Sequence, residues 1–188
     1  TGVQTCALPI SDSIVKIFSS LTLEELITVP IFSTISSVTF SPNGRFLLVS
    51  TTDNISYLFD ANSGNNIKKI EGTRAMYSPD GNLILTSNMD SIGLIYDVAT
   101  FGIVKSFKCR KLHFSDFVFS PDSKSVLCSS WDGSAFIFDV SSGKELNVLT
   151  DIETANFSMA FSSDSRFVIL GNYDGNARVF DAITGIEQ

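Results

Sequence analysis

Regularly spaced aspartates are the residues of this sequence whose type and spacing could do chemistry. Asp53, Asp90, Asp132 and Asp174 recur at steps of 37, 42 and 42 residues, and a second aspartate follows each of them by seven residues. Paired carboxylates hold calcium ions or act as acid and base in catalysis. A predicted strand separates the two members of each pair, however, and no Asp-x-Asp-x-Asp-Gly loop occurs. We therefore predict that the four named aspartates are structural turn residues and that no metal is bound.

Other motifs of catalysis are missing from the sequence. His113 is the only histidine, and no Ser-His or Cys-His arrangement is evident, although an activated nucleophile requires a base beside it. No Gly-x-Gly-x-x-Gly or P-loop pattern is present. The sequence therefore predicts that the protein is not an enzyme, with no catalytic residue and no cofactor, and it favours His113 as a polar loop residue.

Composition and charge bear on partners and compartment. The formal charge of −7 argues against direct binding of nucleic acid, which requires a broad basic face. No apolar run approaches the roughly 20 residues that span a bilayer, so we expect no membrane segment. The three cysteines form no Cys-x-x-Cys pair and are odd in number. This usage favours a reducing, intracellular setting, either the cytoplasm or the nucleus.

The aspartates belong to a longer repeat. An aromatic residue recurs with the same steps at Phe40, Tyr77, Phe119 and Phe161, and a turn signal such as Ser-Pro-Asn-Gly at 41–44 follows it. The next apolar run suits a strand buried on both faces, and a third run ends in an aromatic-Asp pair. A more polar run closes the unit. Four short antiparallel strands in every ~40 residues are typical of a propeller blade.

These units resemble the WD-repeat β-propeller family over residues 12–188. The resemblance rests on the Phe-Ser-Pro-Asp-Gly-type turn, the aspartate six residues before an aromatic, and the aromatic-Asp dipeptide that closes the third strand. It implies an all-β fold of four-stranded antiparallel blades around a central axis. The chain holds about four and a half such blades, so we expect a β-propeller fragment whose ring is not closed.

The repeat register also predicts how the chain divides. We expect the second half of a preceding blade at 11–34, complete blades at 35–71, 72–109 and 110–150, and at 151–188 a blade that lacks its outer strand. Nothing in residues 1–10 fits a strand of the unit, and this segment resembles the translation of a sequencing-library adaptor. We therefore expect residues 1–10 to be a non-native segment, and the chain to begin and end in mid-blade.

The sequence departs from the family pattern at one repeated position. Where family blades often carry the Trp of a Trp-Asp pair, this chain has Phe59, Tyr96, Phe138 and Phe180. Because phenylalanine has no hydrogen-bond donor, the side-chain network in which that tryptophan takes part should be absent or partial. We expect apolar packing between blades to hold this divergent member together.

The residue before each turn aspartate is the strongest candidate for partner binding. The resemblance implies that this position faces the top of the propeller, and here it holds Thr52, Met89, Trp131 and Tyr173. Trp, Tyr and Met are enriched in protein interfaces, and Trp and Tyr at their hot spots. The alternative is that Trp131 packs sideways on the next blade and binds nothing.

A basic cluster interrupts the acidic chain. Lys108, Arg110 and Lys111 lie within the stretch Lys-Ser-Phe-Lys-Cys-Arg-Lys-Leu-His at 105–113. One interpretation is a charged outer strand followed by a solvated loop. The other is a docking patch for an acidic peptide or a phosphate group.

The sequence thus predicts a non-catalytic scaffold that binds other proteins or peptides within a larger multiprotein complex. The alternative is the propeller domain of an enzyme, or of a translation or RNA-processing assembly, whose active parts lie outside this sequence. Extra His or Asp ligands, or a catalytic domain, in a longer reading frame would favour that alternative.

Overall fold

The computed structural model describes residues 5–11, 13–88, 92–108, 114–130, 132–149 and 156–188. Within these ranges the chain forms eighteen β-strands and no helix. The strands make five separate antiparallel sheets, and in each sheet neighbouring strands follow one another in sequence. The expected all-β fold, built from four-stranded antiparallel sheets without a closed ring, is confirmed.

Three of the five sheets have four strands, and the first and last have three. The first sheet contains β1 (Thr5–Ser11), β2 (Ile14–Ser19) and β3 (Glu25–Pro30). The second contains β4 (Ile35–Phe40), β5 (Phe46–Thr51), β6 (Ile55–Asp60) and β7 (Asn66–Glu71). The third contains β8 (Arg74–Tyr77), β9 (Leu83–Ser87), β10 (Ile92–Asp97) and β11 (Ile103–Lys108). The fourth contains β12 (Phe114–Phe119), β13 (Ser125–Ser130), β14 (Ala135–Asp139) and β15 (Glu145–Leu149). The fifth contains β16 (Asn156–Phe161), β17 (Phe167–Asn172) and β18 (Ala177–Asp181).

Strand pairing repeats the same register from sheet to sheet. In each of the last four sheets, the aromatic before the second aspartate pairs with an apolar residue of the preceding strand. These pairs are Leu47 with Phe59, Ile84 with Tyr96, Val126 with Phe138, and Val168 with Phe180. All four aromatic rings are buried. The position that lost the family tryptophan is therefore an apolar core position in this chain.

Apolar side chains fill the spaces between consecutive sheets. The described residues form four buried clusters, one for each pair of neighbouring sheets. Alternate residues of one strand enter different clusters: on β5, Leu47 packs toward the first sheet and Leu48 toward the third. On β13, Val126 packs toward the third sheet and Leu127 toward the fifth. Because successive side chains of a strand point to opposite faces, a second strand buried on both faces reads as a continuous apolar run.

The second strand of the fifth sheet departs from this expectation. Leu48, Leu85 and Leu127 occupy one register position in three sheets and are 0% exposed, whereas Ile169 at the same position on β17 is 43% exposed. Val179 on β18 is likewise 36% exposed. No sheet among the described residues covers this face of the fifth sheet, so its apolar side chains follow the repeat pattern but have no neighbouring sheet to pack against.

The amino-terminal segment corrects one expectation. Residues 1–10 were expected to contribute no strand, yet Thr5–Ser11 forms β1 and pairs antiparallel with β2. Ala7 packs against the cluster between the first two sheets. Backbone pairing requires an extended chain beside an open strand edge and no particular side-chain pattern, which is why the repeat register did not reveal β1. The resemblance of residues 1–10 to an adaptor stays a prediction.

Candidate interaction surface

One edge of the molecule gathers the candidate partner-binding positions. We call it the upper edge and define it by the turns that join the second and third strands of the second, fourth and fifth sheets, at 52–54, 132–134 and 173–176 in the described part of the chain. In the second to fifth sheets, the opposite, lower edge carries the turns that join first to second strands and those that follow the third strands. Antiparallel pairing places the end of each fourth strand at the upper edge as well.

Two of the four candidate contact residues lie in described turns at the upper edge. Thr52 is exposed, and its backbone N–H donates to the carbonyl of Thr34 at 3.0 Å. Tyr173 is 72% exposed. Met89 and Trp131 lie outside the described residues. The structure therefore brings Thr52 and Tyr173 to the same edge of the molecule, in turns of the second and fifth sheets.

The turn aspartates of the upper edge accept hydrogen bonds inside their own turns. Asp132 accepts the backbone N–H of Ser134 at 3.0 Å, and Asp174 accepts that of Asn176 at 2.9 Å. Asp53 accepts from the hydroxyl of Thr51. Asp90 lies outside the described residues. These carboxylates thereby stiffen the turns that present the neighbouring side chains.

Hydrogen bonding also holds these carboxylates in the ionised form. The pKa of Asp53 lies below its ordinary value, and the hydrogen bond from the Thr51 hydroxyl is the largest cause. The backbone N–H of Asn176 lowers the pKa of Asp174 in the same way. Donors that favour the charged form lower a carboxyl pKa, so both turns carry a negative charge at neutral pH.

The second aspartate of each repeat lies at the lower edge. There Asp60, Asp97, Asp139 and Asp181 each accept a backbone N–H from the third residue of the following turn, at 2.7 to 2.9 Å. A whole strand separates each of them from the upper edge. In the three repeats with both aspartates described, the two carboxylates therefore do not combine into a paired acid–base site.

The described part of the basic cluster is Lys108. It is exposed and ends β11 at the upper edge, where it pairs in register with Ile92. Arg110 and Lys111 lie outside the described residues, as does His113. The structure thus places the start of the cluster at the same edge as Thr52 and Tyr173.

A charged pair that the sequence did not predict joins the first strands of the third and fourth sheets. Arg74 on β8 donates to the carboxylate of Asp116 on β12 at 2.8 Å, with both side chains about half exposed. Each stands three residues before the repeated aromatic, at Tyr77 or Phe119. Aligning the repeats at that position would have revealed opposite charges on adjacent blades. An exposed pair of this kind adds little stability, but it helps to set the charge pattern between the third and fourth sheets.

Two further properties concern the described ranges alone. In them, no three side chains of His, Cys, Asp or Glu lie close enough together to hold a metal ion. The same ranges contain no helix that is long and apolar enough to cross a membrane. Cys128 is a buried thiol, 1% exposed, within the cluster between the third and fourth sheets.

Comparison with known families agrees with the strand pattern. The model of the WD domain, G-beta repeat, matches residues 27–60, 103–139 and 150–181, more than half of the chain. The first two matches run from the outer strand of one sheet through the third strand of the next. No curated protein that was compared matches the chain. The chain therefore belongs to the WD40 family, whose repeats generally mediate contacts between proteins.

Proposed function

We propose that this protein is a non-catalytic scaffold that binds a protein partner at its upper edge, through Tyr173 and Thr52 together with Met89 and Trp131. The observation that carries the proposal is Tyr173, a large aromatic that is 72% exposed in a turn. Tyrosine combines apolar contact area with a polar hydroxyl and is enriched at interface hot spots.

The turn around Tyr173 supports this role because its backbone is held by several hydrogen bonds. The N–H of Asn172 donates to the carbonyl of Asn176 at 2.9 Å, and the N–H of Gly175 donates to the carbonyl of Asn172 at 3.1 Å. The Asp174 carboxylate adds a third bond within the same turn. A side chain presented on a fixed backbone loses less conformational freedom on binding than one on a mobile loop.

A second element of the proposal is the basic cluster. Lys108 lies at the upper edge, on a chain with a net charge of −7. Together with Arg110 and Lys111, it would attract an acidic segment of the same partner and increase the rate of association. The buried thiol of Cys128 supports an intracellular partner.

The experiment that tests this function compares the proteins retained by immobilised wild-type chain with those retained by Tyr173→Ala. Ile183→Ala is the matched control because Ile183 is equally prominent, at 80% exposed, but lies in a turn of the lower edge. We expect specific partners to be lost with Tyr173→Ala and kept with Ile183→Ala. Reversal of Lys108, Arg110 and Lys111 to Glu should weaken retention of the same partners. Identical retention by wild type and Tyr173→Ala would contradict the proposal.

A further inference from the structure

A cleft of about 420 Å³ opens on the outer rim between the first and second sheets. We call it the rim cleft. One wall comes from the end of β3 and the residues after it, including Val29, Pro30 and Phe32; the other comes from Tyr57 and Phe59 on β6. The cleft also reaches the turn after β6, at the lower edge, and neither Thr52 nor Tyr173 lines it.

Comparison with another sheet interface shows where the cleft lies. Between the third and fourth sheets, Phe107 of β11 stacks on Phe138 of β14, with ring centroids 4.4 Å apart and planes at 25°. By strand register, Val29 holds the position of Phe107 in the first sheet, and Phe59 holds that of Phe138 in the second. Val15 on β2 holds the position of Gly93 and is fully buried, so in the first sheet its side chain closes the space that the Phe107 ring fills. The rim cleft therefore lies outside that space, with Val29 in its wall.

Aromatic side chains line what remains open. The rings of Tyr57 and Phe59 are nearly parallel, at 22°, with centroids 6.2 Å apart. Beside them Phe32 is 96% exposed, the highest value among the large apolar side chains of the described ranges. A single exposed apolar residue is ordinary, but one that borders an apolar cleft marks an interaction site. The cleft has both the space and the aromatic lining for one inserted ring.

The charge of the lining restricts the occupant further. Lys69 on β7 carries the only charge among the described residues that line the cleft. Its Nζ lies 5.2 Å from the centre of the Tyr57 ring, so the ammonium group is held at the cleft mouth by a cation–π contact. No carboxylate from the described lining opposes it. A carboxylate on the occupant would supply the complementary charge.

We propose that the rim cleft binds a linear peptide of a partner protein, which inserts an aromatic side chain against Tyr57 and pairs a neighbouring Asp or Glu with Lys69. Phe32 covers the inserted ring from the side. This second docking surface includes neither Thr52 nor Tyr173, and its occupancy does not depend on Tyr173.

A random linear-peptide display library selected on the immobilised full chain tests the proposal. We expect the selected peptides to share an aromatic residue within about three positions of an acidic one, the reach of adjacent side chains on an extended peptide. The affinity of a fluorescein-labelled consensus peptide is then measured by fluorescence anisotropy. We expect Phe32→Ala and Lys69→Glu each to weaken binding about tenfold, in the range of interface hot spots.

Lys68→Glu is the matched control. Lys68 precedes Lys69 on the same exposed strand and pairs with Leu58 of β6, so its side chain is on the face toward the third sheet. Reversal of its charge should therefore leave binding unchanged. Phe32 is almost fully exposed, so its removal tests binding without disturbing the core. Tyr173→Ala should also leave peptide binding unchanged, which separates this proposal from the upper-edge function. The proposal is overturned if the selected peptides lack the aromatic–acidic pattern or bind the Phe32→Ala and Lys69→Glu variants normally. It is also overturned if sedimentation shows that the chain forms a dimer that Phe32→Ala dissociates, because a second copy would then occupy the cleft.

Discussion

The phenyl ring of Phe107 lies directly over Gly93, the residue that pairs with it between β10 and β11. A Cβ placed on Gly93 would stand 2.3 Å from Cζ of Phe107, far inside van der Waals contact. The ring cannot move away freely because its other face stacks on Phe138 at 4.4 Å. The glycine is therefore needed for space: it lets an aromatic side chain occupy the interface between the third and fourth sheets.

This relationship predicts that Gly93→Ala destabilises the chain. Without a steric conflict, replacing a strand glycine by alanine would stabilise by roughly 0.5–1 kcal/mol. The steric conflict with Phe107 turns this gain in stability into a loss, and we expect Gly93→Ala to lower the free energy of unfolding by about 1–3 kcal/mol. Urea denaturation followed by far-ultraviolet circular dichroism measures it.

The fourth sheet indicates a second substitution that should restore stability to Gly93→Ala. Ala135 and Leu149 hold the positions of Gly93 and Phe107 there, and both are fully buried. The double variant Gly93→Ala/Phe107→Leu should therefore recover part of the stability that Gly93→Ala loses. An unchanged or increased stability of Gly93→Ala by itself would show that the ring does not constrain this position.

The uncovered face of the fifth sheet predicts different tolerance at two equivalent positions. Ile169 and Leu127 share one register position, but Ile169 is 43% exposed and Leu127 is 0% exposed. Leu127→Asp buries an unpaired charge and should cost more than about 4 kcal/mol, enough to unfold a marginally stable chain. Ile169→Asp should cost about 1 kcal/mol or less, since its carboxylate stays in water.

Thermal unfolding of the two aspartate variants, followed by circular dichroism, measures this difference. The matched hydrophobic controls are Leu127→Val and Ile169→Val, which separate loss of volume from burial of charge. Equal damage from Leu127→Asp and Ile169→Asp would mean that another surface covers the fifth sheet in solution.

The lower-edge aspartates predict how stability depends on pH. Hydrogen bonds from the side chain of Ser142 lower the pKa of Asp139, and those from the side chain of Thr100 lower the pKa of Asp97. An aspartate in an unfolded chain titrates near a pKa of about 3.9. Because the folded values are lower, these carboxylates stabilise the fold above that pH, and the contribution is lost as pH falls through the folded pKa.

Urea denaturation at a series of pH values tests this dependence. We expect the free energy of unfolding to decrease as the pH falls from about 5 to below 4. Asp139→Asn keeps an oxygen that accepts the turn N–H groups but does not titrate, so its stability should decrease less over the same interval. An identical decrease in wild type and variant would show that the Asp139 turn does not contribute to acid sensitivity.

Much of the fold could be predicted from sequence because its information is local. The aromatic residues at Phe40, Tyr77, Phe119 and Phe161 end the first strand of successive sheets, as the repeat register indicated. Turn residues and strand alternation are decided by a few neighbouring residues, so they repeat wherever the sequence repeats. The strand β1 lacked that pattern and was missed, because pairing to the open edge of β2 depends on backbone atoms alone.

The candidate site was predictable only in part. Thr52 and Tyr173 lie in turns at one edge, which follows from strand register, but their exposure depends on what surrounds those turns. The Arg74–Asp116 ion pair and the rim cleft were not foreseen, because each arises between sheets. Arg74 and Asp116 are 42 positions apart, and no local pattern specifies which side chains of two sheets meet over such a separation.

The sequence by itself thus determined the repeated strand, the turn aspartates and the order of the sheets, since each follows from a period of two residues within a strand and from short turn motifs. Only the tertiary structure decided which apolar residues are covered. Leu127 and Ile169 have the same place in the repeat, yet one is enclosed by a neighbouring sheet and the other is not. Whether a side chain is buried depends on the neighbouring sheet as well as on its own sheet, so the residues of one sheet do not determine it.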